Sequence, residues 1–422
     1  MSSGPDGQAD AKLDARAAFR YPAFLRFQSA RFCIVVATEM QAVAVGWQVY
    51  EISKRPLDLG LVGLAQFLPG IFLFLVSGHV ADRFNRRNLL ILCDVGFALC
   101  FALLLAITVR GAVSIVSVFA VLVLLGVVRS FNGPVSRAML PHLVPPEHFG
   151  GSVAWASSIF QAATILGPIL GGLIYAFARG PIAVYAGSFV AAVVAVVLTL
   201  KLPAQEKPRA KSAASLATAF VGFHYIWREK LILGAISLDL FAVLLGGAVA
   251  LLPVYAREIL NAGPWALGML RSAPGVGAGV MAIAIAHWPL KKRAGATMLW
   301  CVAGFGLSTV VFGVSRSFVI SLLALFLVGA TDMVSVIVRA TLIQVATPDE
   351  MRGRVNAVDM VFIGASNELG QFESGITAQL FGAVRAVILG GIGAMVVTGL
   401  WAWMFPQLRR VKQLTLKEDE LG

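Results

Sequence analysis

The stretch Gly78-His79-Val80-Ala81-Asp82-Arg83-Phe84-Asn85-Arg86-Arg87-Asn88 packs three arginines and one acid into a short turn between two apolar runs. One run, about Leu59 to Val80, leads into it, and another, Leu89 to Val109, leaves it. An isolated charge at the centre of a bilayer costs about 2.5–3.5 kcal/mol on insertion scales. A cluster this dense therefore lies outside hydrocarbon, and the two runs read as a membrane hairpin with a short connection.

The rest of the chain extends that reading. Its 422 residues are 58% hydrophobic and 13% charged, with a mean hydropathy of +0.83. A soluble domain carries about 25% charged residues. A spanning helix needs about 20 apolar residues, because hydrocarbon is roughly 30 Å thick and a helix rises about 1.5 Å per residue. Twelve such runs are predicted, beginning near Phe32, Leu59, Leu89, Val113, Val153, Ile182, Leu231, Trp265, Thr297, Phe318, Val355 and Ala386. Backbone groups in lipid must pair internally and the runs are too long for barrel strands, so the fold is an all-α integral membrane protein.

The formal net charge is +12. With the N-terminal tail and even-numbered loops on one side, 22 of the 34 Lys and Arg fall on that face, 7 on the other and 5 within spans. Such a bias sets membrane orientation, so both termini are expected in the cytoplasm and nucleic acid is not expected as a partner. No cleavable leader is evident, since the first apolar run is too long for one. Met1 to Asp10 is expected to be disordered, and Ala11 to Phe19 to lie as a short basic helix on the inner surface. Cys33, Cys93, Cys100 and Cys301 all fall in apolar runs and are expected to be small buried hydrophobes.

A polar break divides the spans six and six. The expected organisation is a tail (1–19), a six-helix bundle (20–200), a linker (201–230), a second bundle (231–406) and a tail (407–422). The halves echo each other: Arg137-Ala138 and Leu140 are matched by Arg339-Ala340 and Leu342, and at the same spacing Pro146 meets Pro348 and Gly151 meets Gly353. Leu68-Pro69-Gly70 has a counterpart in Ala273-Pro274-Gly275. Matched Gly and Pro interruptions mark either close packing or a binding interface between repeats.

The pattern G-x-x-x-D-R-x-x-R-R at Gly78 to Arg87 resembles the loop between the second and third helices of the major facilitator superfamily. That resemblance implies two pseudo-symmetric six-helix bundles around a central cavity. It also implies a cytoplasmic gate of Gly78, Asp82, Arg83, Arg86 and Arg87, with Asp82 engaging the start of the eleventh helix at Asp349 and Glu350. Either of those acids can pair with Arg83; the plainer alternative is a topology anchor, which is the expectation for the counterpart loop Trp288 to Arg293. Asn85 stands where the family usually has Gly, and Asn tolerates a left-handed backbone. Gly167-Pro168-Ile-Leu-Gly171-Gly172 is similar to the family's antiporter motif, with Ala163 replacing its first Gly; that resemblance favours export over uptake, and the plainer alternative is a packing kink with no bearing on direction. The opening Pro22 to Arg26, the run Leu59 to Pro69 and the stretch Pro348 to Val355 resemble the branch that includes enterobactin exporters.

Charges inside spans normally face a cavity or a partner. Glu39, Asp239 and Glu368 are the expected proton carriers, since desolvation favours a neutral carboxyl group; the alternative is that they fix helix orientation. Arg129, Asn132 and Ser136 form one polar stripe and Asp332, Ser335 and Arg339 another, with Arg129 and Asp332 as candidate partners across the cavity. Gln371 shares a face with Glu368. Trp47, Trp155 and Phe241 suggest an apolar or ring-containing cargo; the alternative is that they are ordinary lipid-facing or interfacial residues. No G-x-x-x-x-G-K-[ST] loop, catalytic set or metal-ligand spacing is present in the sequence. The expectation is a monomeric transporter of a small molecule in a bacterial inner membrane, not an enzyme and without a cofactor, driven by a proton gradient. Import, or a transporter-shaped sensor without flux, are the rival readings.

Overall fold

The computed structural model describes residues 17–203, 216–288 and 293–411, and these are almost entirely helical. In chain order the helices are α1 (Pro22–Ser53), α2 (Pro56–Arg83), α3 (Arg86–Val109), α4 (Ile115–Met139), α5 (Phe149–Phe177) and α6 (Ile182–Leu200). There follow α7 (Leu216–Arg228), α8 (Lys230–Leu245), α9 (Leu252–Val254), α10 (Pro264–His287) and α11 (Ala294–Val314). The last are α12 (Phe318–Ala346), α13 (Asp349–Phe381), α14 (Ala383–Met404) and α15 (Pro406–Arg410). The tail expected to be disordered, most of the basic segment before Phe19 and residues 289–292 of the counterpart loop lie outside the described residues.

Local sequence accounts for the helix ends. Pro at the first turn, where its missing N–H is harmless, starts α1, α2 and α10. Ser114 and Ser117 form a reciprocal capping box at the start of α4. Asn85 is extended rather than left-handed, and its side chain accepts from the Asn88 N–H at 3.3 Å. The residue that replaces glycine in the loop thus serves as the N-cap of α3.

Eleven helical segments among the described residues are long and apolar enough to cross a membrane. One of these, Lys230–Ile259, is broken: α8 stops at Gly246-Gly247, and the chain continues through a 3-10 turn, α9 and a π turn at Tyr255–Ile259. The twelfth expected span is α13, 33 residues long and too polar to pass on composition. It begins at Asp349, ahead of the predicted Val355, and α1 begins at Pro22 rather than near Phe32. Glu39 therefore sits midway along α1 instead of near its start.

The packing repeats. In the first half α1 contacts α5 and α6, α2 contacts α4, and α3 contacts α4 and α6. In the second half α8 contacts α13 and α14, α10 contacts α12, and α11 contacts α12 and α14. The halves meet along α5 with α10 and α2 with α13. Glycines permit both approaches. A Cβ on Gly172 would lie 2.6 Å from the Pro264 carbonyl oxygen, and one on Gly375 would lie 2.9 Å from the Gly60 Cα.

Candidate transport cavity

Between the halves lies a cavity of about 800 Å³. It runs from Phe27 and Leu140, level with the Gly78–Arg87 loop, to Gly46 and Pro253 near the opposite face. There the halves are joined. Glu51 at the end of α1 pairs with Arg257 at 3.4 Å, and the Tyr50 hydroxyl donates to Glu258. Tyr175 of α5 donates to Glu51 at 3.4 Å, and the Arg257 guanidinium lies 5.6 Å from the Trp47 ring centroid. The molecule is thus closed on the side away from the basic loop.

Halfway along is a belt of polar groups from both halves. Arg271 of α10 pairs with Glu39 of α1 at 3.6 Å. Arg129 of α4 donates to Gln66 of α2 at 3.0 Å, and Gln371 of α13 donates to Glu368 at 3.1 Å. A Cβ on Gly63 would meet Glu368 at 2.8 Å, so this small residue lets α2 carry the belt up to α13. Asn132 and Ser136 line the same cavity, as their spacing with Arg129 predicts.

The second stripe is placed differently. Ser335 and Arg339 are 1% and 3% exposed and do not reach the cavity. Arg339 is bonded to Asp239 and lies 3.5 Å from Asp359, while Ser335 donates to Asp239 at 3.3 Å. Asp332 borders a separate hollow of about 220 Å³ with Asn367 and Gln371. The expected Arg129–Asp332 pair does not form: Arg129 turns to Gln66 within its own half, and Asp332 faces the separate hollow. Asp239 is likewise occupied by Arg339.

At the basic loop, Arg87 donates to the Leu200 carbonyl at 2.6 Å and Arg86 contacts His142, which tie α3 to the ends of α6 and α4. Arg83 is exposed. The expected pairing of Asp349 with Arg83 is replaced by one with Arg352 at 2.6 Å, one turn along α13, and Glu350 forms no ion pair among the described residues. A Cβ on Gly78 would meet nothing within 4 Å, so no close approach demands glycine there. The Asp82 side chain lies outside the described residues. The glycines around Pro168 have a clear role: Gly167 lies against Glu39 and Gly171 against the Met40 backbone, at 2.5 and 2.8 Å for added Cβ atoms. They let α5 lie flush on α1 beside the charged belt.

The three aromatics expected near cargo do not line the cavity. Trp47 packs on Tyr175, Trp155 on Phe19 and Phe241 on Trp401; Phe27, Phe97 and Phe160 line it instead. Four arginines within spans face it: Arg31, Arg129, Arg137 and Arg271. Arg31, Arg271 and Asp94 escaped the sequence reading as site residues, although the same signal, a charge inside an apolar run, marked each. Asp94 accepts from Thr199 at 2.7 Å. All four cysteines are free thiols.

Residues 29–371 match the family model described as Major Facilitator Superfamily. The enterobactin exporter EntS of Shigella boydii serotype 4 (strain Sb227) is 26% identical over 402 residues, covering 93% of this chain and 94% of that protein. EntS of Citrobacter koseri (strain ATCC BAA-895) is 27% identical over 407 residues with the same coverage. Among solved structures, a bacterial homolog of the human lysosomal transporter Spinster superposes with a TM-score of 0.71 at 12% identity, covering 92% of this chain and 98% of that one. The nucleoside transporter NupG gives 0.68 at 15% identity, covering 91% and 99%.

Proposed function

This chain belongs to the Major Facilitator Superfamily, and from that premise we propose that it is a proton-coupled exporter of a small organic molecule, siderophore-like or drug-like, working by alternating access. The observation that carries the reading is the cavity between the halves, crossed at mid-depth by the Glu39–Arg271 pair. Glu39 belongs to one half and Arg271 to the other. A proton on Glu39 removes the attraction between them, so its binding and release favour different arrangements of the bundles. Glu368 shares the belt and is the second proton carrier; Asp239, held by Arg339, falls behind both. Asp82 and the start of α13 form the inner gate, and the Glu51–Arg257 network the outer one.

Several relatives are exporters by name, which supports efflux and a place in the bacterial inner membrane. The excess of Lys and Arg on one face supports a cytoplasmic basic loop and cytoplasmic termini; in that orientation the cavity faces the compartment from which cargo would be loaded. The chain works as a monomer and needs no cofactor beyond the proton gradient.

The test is transport into everted membrane vesicles, with enterobactin and a panel of fluorescent dyes as cargo. Acidifying the lumen is expected to drive accumulation of at least one of them, and Glu39→Gln to reduce that rate about tenfold or more. Accumulation indifferent to the gradient would remove the coupling. Movement in the opposite direction, down the proton gradient, would make the protein an importer, and no flux of any compound would leave a sensor.

A further inference from the structure

The repeat places Arg137 of the fourth span opposite Arg339 of the tenth. In the second half, Arg339 is neutralised from two sides, by Asp239 of the first span of that half and Asp359 of its fifth. In the first half the register puts Ala37 and Ser157 where those two acids stand. The first span instead brings Arg31, whose charge interacts with that of Arg137, and the Phe160 ring of the fifth span lies against Arg31. Among the described residues neither Arg31 nor Arg137 has an acidic partner, and both line the cavity. The acids that share it are engaged elsewhere: Asp94 accepts from Thr199, Glu39 pairs with Arg271, and Glu368 accepts from Gln371.

We propose that Arg31 and Arg137 form an anion-binding subsite at the cytoplasmic end of the cavity, and that the cargo presents a carboxylate, sulfonate or phenolate oxygen to it. Two guanidinium groups that line one crevice with low-dielectric walls repel each other, and an anion placed between them removes that repulsion. Their planar donor forks suit an oxyanion bidentately. The Arg31 guanidinium lies 5.1 Å from the Phe160 ring centroid, which fixes it against the wall, and Phe160 keeps 41% of its surface open as an apolar flank. Cargo is therefore an organic anion with a ring or apolar body beside its charge. This inference rests on reading the cavity as the cargo path.

The test is equilibrium binding to the purified full chain in an uncharged detergent. The probes share one ring system: 2-naphthoate, naphthalene-2-sulfonate, 2-naphthamide and 2-naphthylmethylamine. The two anions are expected to bind at least about tenfold more tightly than the amide or the amine, as charge-assisted bonds require. Arg31→Gln and Arg137→Gln are each expected to weaken naphthoate by about tenfold, while Arg31→Lys and Arg137→Lys, which keep the charge but lose the planar fork, are expected to weaken it less. The charge series on the unaltered protein decides the matter even where a glutamine variant fails to fold. Amide binding as tight as naphthoate, or glutamine variants that bind naphthoate like the parent, overturn the proposal. So does displacement of naphthoate by added phosphatidylglycerol, which would assign the arginines to a lipid headgroup. No transport enters the measurement, so its failure leaves an efflux result standing, and a lack of efflux leaves the subsite standing.

Discussion

Arg339 is 3% exposed and holds Asp239 and Asp359 on either side, joining α8, α12 and α13 in the interior of the second half. Removing one member of such a group is costlier than removing all of it, because the remaining charges are left buried and unpaired. Arg339→Leu is expected to destabilise the protein by about 3–5 kcal/mol, read as a lowered midpoint of thermal denaturation in detergent. Adding Asp239→Asn and Asp359→Asn to that variant is expected to restore most of the loss. An Arg339→Leu protein as stable as the parent would mean that the three side chains do not form a buried network. Asn85→Ala, which removes the N-cap of α3, is expected to cost only about 0.5–2 kcal/mol in the same assay. At this scale the sequence was partly legible. The rule that intramembrane charges have work to do pointed to Glu39, Arg129 and Glu368, all of which converge on one belt. It could not separate Asp239, a member of a closed network, from Glu39, which lines the cavity, because both stand as lone acids in apolar runs. Pairing depends on which helices meet, and spacing within one helix does not report that.

Where the halves touch, the surfaces of the helices are made of backbone and small residues. Gly172 and Gly268 face each other between α5 and α10, and Gly60 and Gly375 between α2 and α13. Without a hydrophobic drive between helices in lipid, such close packing supplies much of the contact energy. Gly172→Val and Gly268→Val are each expected to cost about 1–3 kcal/mol through overpacking, and to part α5 from α10. Gly279→Ala, with nothing within 4 Å of its added carbon, is the matched control and is expected to be neutral or slightly stabilising. Thermal denaturation of the three proteins checks the contrast, and equal behaviour would count against the close approach. The glycines of α5 stood out in the sequence through their resemblance to the antiporter motif, and Gly375 through its match with Gly172 in the repeat, whereas nothing in the run Leu59 to Pro69 singled out Gly60 as a contact. Helix α13 was legible through its acidic start and the repeat register, yet its polarity hid its length. The break in α8 went unread, since Gly246-Gly247 sits in an otherwise continuous apolar run and the contact made there, Gly247 against the Gly370 carbonyl, is tertiary.

For the molecule as a whole, the twofold repetition of the packing is the feature on which the proposed rocking rests. The two halves meet through a few facing helices and a small set of ion pairs, and those pairs differ between the ends. On the side away from the basic loop, Glu51, Arg257, Tyr50 and Glu258 clamp the halves together; at the loop side the Phe27 and Leu140 end of the cavity has no such clamp among the described residues. Such an asymmetry is expected of one member of a pair of states related by rocking of the bundles. The two-bundle plan was visible in the matched motifs, but the state was not, because no local pattern records which end is closed.

The most direct test of that rocking is the distance between bundles at both faces. With the four cysteines replaced, paired spin labels at Glu147 and Glu350 report on the loop side, and labels at Arg55 and Asn261 on the other. Breaking the clamp with Glu51→Gln and Arg257→Gln is expected to shorten the first distance and lengthen the second in the same sample. Two distances that stay fixed, or that lengthen together, would contradict alternating access in this protein.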